Sequence, residues 1–525
     1  MNILILDEID ENAKEILKHN GFQLDVKLGL SEDQIAAIAV NYEGLVVRSG
    51  VKITKKIIEA GKRLKVIGRA GVGVDNIDVE HATGKGIVVM NSPLGNVNAA
   101  AEHTAAMILA LSRHIPKADL SMKNGLWERK KFQGNELLGK KIGLIGVGNV
   151  GKIVAKIMQA FNSQVYACDP FVSQDVAKEI GVQLVDLDFL LKNCDYISVH
   201  VPLNDKTKNM LDAKAFEKMK NGVKMINVGR GGIINENSLY EAIKNGKVSG
   251  AAIDVWENEP LQDYKLAKLD NVIATPHLGA STEEAQRNVG IDVAQKISDF
   301  LKNGVISGAV NSVSIGQKDY EGIGSYIPLV EKLGSVCIQI SSGGIKRIEI
   351  HYRGKIAEYD TRILTSYAVK GVLKGISGYT INEVNSLFAA KERDIKIVDS
   401  KSTDTENFAN LVRIIITTDK GSYKVNGTIF DDKKARIVKI NDFEVDIHPE
   451  GTLLICHNKD VPDVIGSIGT VLGTNKINIG SMYVGRDKSN GLALNVIGID
   501  SEISKEMVEK IRAVKNVINV QLVKP

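Results

Sequence analysis

The sequence predicts an α/β protein with two doubly wound parallel sheets, followed by an α+β unit and a compact β-α-β-β-α-β unit. Three observations support this fold class. Short apolar runs alternate with helical stretches over residues 2–90 and again over 140–276, as in a parallel sheet covered by helices on both faces. A glycine-rich turn at 146–151 follows one such run and opens a helix. Beyond about residue 310 hairpin-like strands replace the alternation.

Composition narrows the class of protein. A chain of 525 residues is long enough for about three or four domains. A net charge of +4 is close to neutral for this length and argues against a nucleic-acid or membrane partner. The N-terminus lacks a basic leader, and no apolar stretch approaches the length of a membrane span. The four cysteines are scattered and without metal-type spacing, which predicts reduced thiols, no metal site and a cytoplasmic location.

The first unit is predicted to be flavodoxin-like and doubly wound. Its strands precede the glycine-rich turn, so the unit around that turn is not N-terminal. Ser281 and Glu284 match a capping box, and the helix they open carries an apolar stripe that would cross back to the first unit. This predicts a first domain of residues 1–97 and 283–308. Its predicted strands are Ile3–Leu6, Leu24–Val26, Gly44–Val47, Lys65–Ile67 and Ile87–Val89.

The glycine-rich turn predicts a Rossmann-type dinucleotide-binding domain over residues 98–282. Gly146 permits the tight turn, Gly148 lets the backbone approach a pyrophosphate, and Gly151 allows close packing of helix on strand. Asp169 ends the next strand, where a carboxylate accepts hydrogen bonds from the ribose and repels a 2′-phosphate. NAD is therefore the predicted cofactor. The alternative is a flexible turn, with Asp169 as an ordinary strand-end residue.

Three later strands of this unit end in side chains suited to one chemistry. Histidine is the usual group that moves a proton beside a nicotinamide, and His277 lies just past a strand at the carboxyl edge of this sheet. Glu259 would fix the imidazole tautomer, and Arg230, between glycines, would bind a carboxylate in bidentate fashion. The structural alternatives are a packing or capping histidine, a surface acid and an ordinary ion pair.

Polar residues also follow strands of the first unit. Arg48 and Ser49 come after one strand and Arg69 after the next, beside glycine-rich turns. Two arginines at one edge of a sheet suit a doubly charged, phosphorylated acid. The alternative is that both arginines pair with nearby acids.

Five motifs of the first 305 residues together resemble a known family. They are Gly146-x-Gly148-x-x-Gly151, His200-Val201-Pro202-Leu203, Asn227-x-Gly229-Arg230-Gly231-Gly232, Asp254-Val255-Trp256-x-x-Glu259-Pro260 and Thr275-Pro276-His277-Leu278-Gly279-Ala280-Ser281-Thr282. The combination resembles the D-isomer-specific 2-hydroxyacid dehydrogenases. By this resemblance Arg230, Glu259 and His277 are the catalytic residues. Gly229 stands where the family usually has alanine, which affects a backbone contact only.

The resemblance also implies the cofactor and substrate contacts. Asn96 would join Arg48, Ser49 and Arg69 around the substrate, implied to be 3-phosphoglycerate, which NAD oxidises in the first step of serine synthesis. The alternatives are a hydroxypyruvate or glyoxylate reductase of the same family and a non-enzymatic NAD-sensing scaffold. The implied cofactor contacts are the three glycines of the turn with Val72, Asn149, Val150, Asp169, Val201, Val228, Gly229, Asp254, His277 and Ala280.

The last 220 residues resemble regulatory parts of long-form members of the family. Residues 309–448 resemble an intervening α+β domain and 449–525 resemble an ACT domain. By that resemblance Asn458, Asp460 and Asn478 would bind an effector, with serine as the candidate. Asp463 replaces a common glycine and adds a negative charge beside that site. An alanine-rich helix over 98–112, buried between domains or subunits, and the ACT domain together predict a homotetramer.

Overall fold

The computed structural model describes residues 1–313, 317–374, 381–430, 434–501 and 503–525. These residues form four sheets, the first two wholly parallel and the last two mixed and antiparallel. The predicted fold class is confirmed. None of the helices in the described ranges has both the length and the apolar character that crossing a membrane requires.

The first sheet has five parallel strands in the order β2-β1-β3-β4-β5. This is a doubly wound order, so the loops after β3 and β4 emerge side by side at the carboxyl edge. The elements are β1 Asn2–Ile5, α1 Glu11–His19, β2 Gln23–Val26, α2 Glu32–Ala39, β3 Gly44–Val47, α3 Lys55–Ala60, β4 Val66–Arg69, α4 Val79–Gly84 and β5 Val88–Asn91.

The second sheet has seven parallel strands in the order β12-β11-β10-β9-β6-β7-β8. The order reverses beside β6, which makes the crevice at its carboxyl end the expected ligand site. Its elements are α5 Val97–Arg113, α6 Ile115–Lys123, a 3₁₀ turn Arg129–Phe132, β6 Lys141–Ile145, α7 Asn149–Ala160, β7 Gln164–Cys168, α8 Gln174–Ile180, β8 Gln183–Leu184, α9 Leu187–Asn193, β9 Tyr196–Val199, α10 Ala213–Lys218, β10 Val223–Asn227, α11 Glu236–Lys244, β11 Val248–Ile253 and β12 Val272–Ala274.

Helix α12, Glu283–Asn303, returns the chain to the first sheet. It packs closely on α1, because a Cβ added at Gly290 would lie 3.2 Å from the Cβ of Ala13. Its buried stripe shares one core with β1 and β4. The predicted capping box on Ser281 is wrong, since Thr282 is the N-cap and its Oγ1 accepts a hydrogen bond from Ala285 N–H at 3.1 Å.

The third sheet has six strands in the order β14-β13-β15-β16-β17-β18. The elements are α13 Gln317–Ile323, α14 Tyr326–Ile340, β13 Ile345–Gly354, a 3₁₀ turn Lys355–Glu358, α15 Arg362–Leu373, α16 Ser386–Lys391, β14 Lys396–Ser402, β15 Asn410–Thr418, β16 Ser422–Ile429, β17 Ala435–Ile440 and β18 Phe443–Ile447. Helices α14 and α15 pack on its buried face and lie close to each other. A Cβ at Gly371 of α15 would lie 2.0 Å from the carbonyl oxygen of Glu331 of α14.

The fourth sheet is antiparallel, in the order β20-β21-β19-β22, and its unit has the predicted β-α-β-β-α-β sequence of elements. Its edge strand β20 lies against β18, because a Cβ at Gly485 would be 2.6 Å from the carbonyl oxygen of Glu444. The elements are β19 Thr452–Lys459, α17 Val464–Thr474, β20 Ile479–Asp487, β21 Leu492–Ile499, α18 Lys505–Arg512 and β22 Val517–Val523.

Candidate active site

A cleft of about 830 Å³ lies between the carboxyl edges of the first two sheets. The loops after β3 and β4 form one wall, and the loops after β10, β11 and β12 form the other. The cleft therefore brings together the catalytic and substrate residues predicted from separate strand ends. Those that line it are Arg48, Ser49, Arg69, Val72, Asn96, Arg230, Glu259, His277 and Ala280.

His277 and Glu259 form a direct pair in this cleft. The Nδ1 of His277 lies 2.6 Å from Oε2 of Glu259, and Oε1 of Glu259 accepts a hydrogen bond from Trp256 N–H at 3.0 Å. Burial alone would raise the pKa of Glu259, but the bonds from His277 and Trp256 outweigh it and lower that pKa. Glu259 is thus an ionised acceptor that holds the Nδ1 proton, which leaves Nε2 of His277 to meet a substrate.

The loop that carries His277 is held by Asp254, which follows β11. The Asp254 carboxylate is fully buried and accepts hydrogen bonds from Leu278 N–H at 2.8 Å and Gly279 N–H at 2.9 Å. The backbone of His277 has a φ of 58°, a left-handed conformation that these bonds stabilise. Asp254 therefore supports the loop from within the protein, and its predicted contact with the cofactor stays a prediction.

Two residues that the sequence did not reveal complete this support. Thr275 donates its hydroxyl to Asp254, and Nε2 of His103, on α5, lies 3.3 Å from the same carboxylate. Burial would raise the pKa of Asp254, but these two side chains and the loop N–H groups lower it. Asp254 stays ionised because several donors compensate for its removal from water.

Three arginines line the cleft, Arg48 and Arg69 on the first-unit wall and Arg230 on the wall that carries His277. Arg230 donates from Nη1 to the carbonyl of Gly229 at 2.8 Å, and its Nε is 3.3 Å from the carboxylate of Asp75. Burial and then the charges of Arg230 and Arg48 lower the pKa of Arg69 to about 10, so it remains cationic at neutral pH. The Nε of Arg69 is buried and makes no hydrogen bond to any described residue. Such a cluster favours binding of an anion with several charges.

Asn96 and Ser49 add polar groups to the same pocket. Asn96 stands at the N-cap of α5, yet its side chain makes no capping hydrogen bond. An N-cap asparagine ordinarily bonds to its own helix, so this amide is left for a ligand. Ser49 is exposed, next to Arg48, whose backbone N–H is fixed by Asp7 at 2.6 Å.

The glycine-rich turn has the geometry that a dinucleotide needs. Gly146 has a φ of 91°, and a Cβ there would be 2.7 Å from the carbonyl oxygen of His200. A Cβ at Gly151 would be 2.3 Å from the carbonyl oxygen of Gly146. In contrast, a Cβ at Gly148, the N-cap of α7, meets no described atom within 4 Å. The space in front of the N-terminus of α7 is thus open to a pyrophosphate.

Asp169 ties the end of β7 to this turn. Its carboxylate accepts hydrogen bonds from Val147 N–H at 3.0 Å and Phe171 N–H at 2.9 Å. The acid therefore lies beside the turn, as NAD recognition requires. The other predicted cofactor residues follow neighbouring strands or open the helix: Asn149 and Val150 begin α7, Val201 follows β9, and Val228 and Gly229 follow β10.

Replacing Gly148 and Gly151 with alanine should separate cofactor binding from folding. Gly148→Ala should keep the wild-type thermal unfolding midpoint but weaken NAD binding by about tenfold or more, because its methyl group enters the ligand space. Gly151→Ala should lower both the unfolding midpoint and the affinity for NAD, since its methyl group overlaps the carbonyl oxygen of Gly146. Calorimetric titration with NAD and a thermal melt measure the two effects. Wild-type NAD affinity in Gly148→Ala would contradict the assignment of this turn.

The lowered pKa of Glu259 predicts a pH-dependent contribution to stability. A carboxyl group whose pKa falls on folding stabilises the protein at pH values above its ordinary pKa, which is near 4.5. That contribution is lost as the pH falls through the folded-state pKa. The melting midpoint of wild type should therefore exceed that of Glu259→Gln by more at pH 7 than at pH 4. Scanning calorimetry at both values tests this, with Glu257→Gln as the control. An equal difference at both pH values would contradict it.

The three predicted effector residues each have a different protein partner. Asn458 is buried, accepts a hydrogen bond from the amide of Asn495 and donates to the carbonyl of Lys459. Asp460 accepts from Arg486 Nε at 2.8 Å, and Asn478 donates to Asp500. The sequence did not reveal Asn495, whose Oδ1 is buried and makes no hydrogen bond to any described residue.

Comparison with known proteins identifies relatives over the whole chain. Residues 105–279 match the sequence model of the D-isomer specific 2-hydroxyacid dehydrogenase NAD binding domain, and residues 322–441 match that of the D-3-phosphoglycerate dehydrogenase intervening domain. The chain is 43% identical to D-3-phosphoglycerate dehydrogenase of Archaeoglobus fulgidus, with 100% of both chains covered. It is 40% identical to the Methanocaldococcus jannaschii enzyme, over 100% of this chain and 99% of that one.

Solved structures match the first two units. D-lactate dehydrogenase from Aquifex aeolicus, complexed with NAD and lactic acid, is 30% identical with a TM-score of 0.51, over 57% of this chain and 96% of that one. A glyoxylate reductase from Paecilomyes thermophila is 26% identical with a TM-score of 0.55, over 59% and 98%. Both are relatives of the two-unit part that holds the cleft.

The fold and the cleft thus define an NAD-dependent oxidoreductase of the 2-hydroxyacid dehydrogenase class. Within that class the similarity extends over the whole chain and includes the intervening unit. The chain belongs to the D-3-phosphoglycerate dehydrogenase family. The resemblance drawn from the five motifs is confirmed, as is NAD as the cofactor.

Proposed function

We propose that this protein oxidises 3-phospho-D-glycerate to 3-phosphooxypyruvate with NAD, the first step of L-serine synthesis. The observation that carries the proposal is the convergence of Arg48, Arg69 and Arg230 on one cleft that also contains the His277–Glu259 pair. A phosphate and a carboxylate on a three-carbon acid together present several negative charges. Three cations beside a proton-accepting group match such a substrate.

The arginines divide the substrate between its two ends. Arg230 binds the carboxylate, because a planar guanidinium between two glycines gives a bidentate contact next to His277. Arg48, Ser49, Arg69 and Asn96 bind the phosphate on the first-unit wall. Burial and then the neighbouring arginines lower the pKa of Arg69, and a dianion relieves the repulsion among these cations, so this pocket favours phosphorylated acids.

The chemistry follows from the His277–Glu259 pair. Nε2 of His277 accepts the proton of the substrate hydroxyl as a hydride leaves the carbon atom that bears this hydroxyl. The 146–151 turn would hold NAD, which would supply the hydride acceptor. The imidazole becomes positively charged, and the ionised Glu259 stabilises that charge through Nδ1. Closure of the two units on the substrate excludes water from this transfer.

Steady-state formation of NADH tests the substrate. We expect turnover of 3-phosphoglycerate at a rate far above that of D-glycerate or D-lactate, which lack the phosphate. Equal or better turnover of an unphosphorylated acid would overturn the substrate assignment and favour a hydroxypyruvate or glyoxylate reductase instead. Absence of any turnover, with NAD still bound, would favour a non-enzymatic NAD-binding protein.

We also propose that residues 449–525 form an ACT regulatory domain that binds serine, and that the protein is a cytoplasmic homotetramer. The buried Asn458–Asn495 pair supports an effector site, because the Oδ1 of Asn495 needs a donor and an amino acid's ammonium group supplies one.

Two experiments test these proposals. Millimolar serine should lower NADH formation in wild type but not in Asn478→Ala, and sedimentation equilibrium should give four chains. Serine-insensitive activity would remove the effector proposal alone.

A further inference from the structure

The side chain of Asn76 bridges the two loops that form the first-unit wall of the cleft. Asn76 lies in the loop after β4, and its Nδ2 donates to the carbonyl oxygen of Arg48 at 2.7 Å and to that of Val51 at 2.6 Å. These carbonyls bracket Ser49 and Gly50 in the loop after β3. Both N–H groups of one amide are therefore used to fix the two ends of segment 48–51.

Other bonds hold the flanks of this segment but not its centre. Arg48 N–H donates to Asp7 at 2.6 Å, and Ile53 N–H donates to the backbone carbonyl of Asn76 at 2.8 Å. Neither bond depends on the Asn76 side chain, so both persist in a variant at that position. Ser49 and Gly50 are exposed, and the Asn76 amide is the side-chain group that bonds to the carbonyls on either side of them.

We propose that Asn76 is a positioning residue that fixes segment 48–51 for the substrate phosphate and so sets the preference for phosphorylated over unphosphorylated acids. This inference rests on the proposed function. A segment that is ordered before binding loses little conformational freedom when the anion arrives, whereas a loose one must be ordered at that moment. Loss of the two bonds should therefore weaken binding at the phosphate end while the carboxylate end and the chemistry are unchanged.

The neighbouring residue provides a matched comparison. Asp75 lies 3.3 Å from Nε of Arg230, on the carboxylate side of the cleft. Adjacent positions in one loop thus face the two ends of the substrate. Asp75→Asn should change recognition of the carboxylate, and Asn76→Leu, which removes both donors while keeping the branched shape, should change recognition of the phosphate.

Two competitive inhibitors report on the two ends separately. Inorganic sulfate competes for the phosphate pocket, and tartronate, an unphosphorylated dicarboxylate, competes at Arg230. For Asn76→Leu we expect the KM for 3-phosphoglycerate and the inhibition constant for sulfate to rise by about tenfold or more, with kcat and the constant for tartronate within twofold of wild type. Asn76→Ser retains one hydroxyl donor and should lie in between. Asp75→Asn should change the tartronate constant instead.

The outcomes separate this inference from the proposed function. A wild-type protein that neither prefers the phosphorylated acid nor is inhibited by sulfate overturns both. A wild type that prefers the phosphorylated acid, with an unchanged sulfate constant in Asn76→Leu, overturns only the role of Asn76. A parallel rise for sulfate and tartronate means that Asn76 supports the fold generally and also overturns it. If Asn76→Leu does not fold, the same comparison of the sulfate and tartronate inhibition constants is made with Asn76→Ser.

Discussion

Replacing His277 with alanine should lower kcat by about two to four orders of magnitude while NAD binds with unchanged affinity. The variant removes the group that accepts the hydroxyl proton, but the glycine-rich turn and Asp169 lie on other strand ends and remain intact. The backbone at 277 also stays fixed, because Asp254 holds the loop through Leu278 and Gly279. Steady-state NADH formation and calorimetric titration with NAD measure the two quantities.

Two further variants make this result specific. His19→Ala removes a histidine at the end of α1, outside the cleft, and should leave kcat unchanged. Adding Glu259→Gln to His277→Ala should cost far less than Glu259→Gln costs alone, because Glu259 acts through the imidazole. Full additivity of the two substitutions, or wild-type turnover in His277→Ala, would show that another group accepts the proton.

Replacing Arg230 with lysine should lower kcat/KM for the phosphorylated acid by about a hundredfold or more, since losing a hydrogen-bonded charge contact in a desolvated site costs about 2–5 kcal/mol. Lysine keeps the positive charge but not the planar pair of donors, and it cannot maintain the contacts with Gly229 and Asp75 together. The effect should appear in both kcat and KM, because the carboxylate is both bound and oriented by this side chain.

The matched control for this substitution is Arg512→Lys on α18, where the arginine pairs with the exposed Glu509. Surface pairs of this kind contribute little, so its kinetics should equal those of wild type. Initial rates over a range of 3-phosphoglycerate concentrations give kcat and KM for both variants. A lysine at 230 that supports wild-type kcat/KM would show that charge alone, without bidentate geometry, suffices.

The sheets and the location of the site could be predicted from sequence because both depend on periodic patterns. Apolar runs of strand length alternate with helical stripes, and the carboxyl ends of parallel strands meet at one edge. Local choices between similar residues could not be predicted. Ser281 and Thr282 carry the same hydroxyl chemistry, and only the backbone geometry decides that Thr282 caps α12. The alanine-rich helix over 98–112 packs its buried side chains in the core of the second sheet, and its place between domains or subunits stays a prediction.

The direction of side chains is the other feature that could not be predicted from the sequence. Sequence patterns place Asp254 at a strand end but do not show that its carboxylate turns back to support the His277 loop. Likewise they do not show that the Asn458 amide is buried against Asn495. The roles of His103 and Asn76 could not be predicted because their partners are distant in sequence or are backbone carbonyls, which no residue type reveals.

The return of α12 to the first sheet has a consequence for how the chain is made. Val289, Val293 and Ile297 of this helix share a core with Ile3 and Ile5 of β1, yet the whole inserted second unit is translated between them. During synthesis the five strands of the first sheet emerge with one face covered only in part, by α1, while residues 97–282 already contain all the strands of their own sheet. The part of the protein that leaves the ribosome first therefore completes its core after the part that follows it.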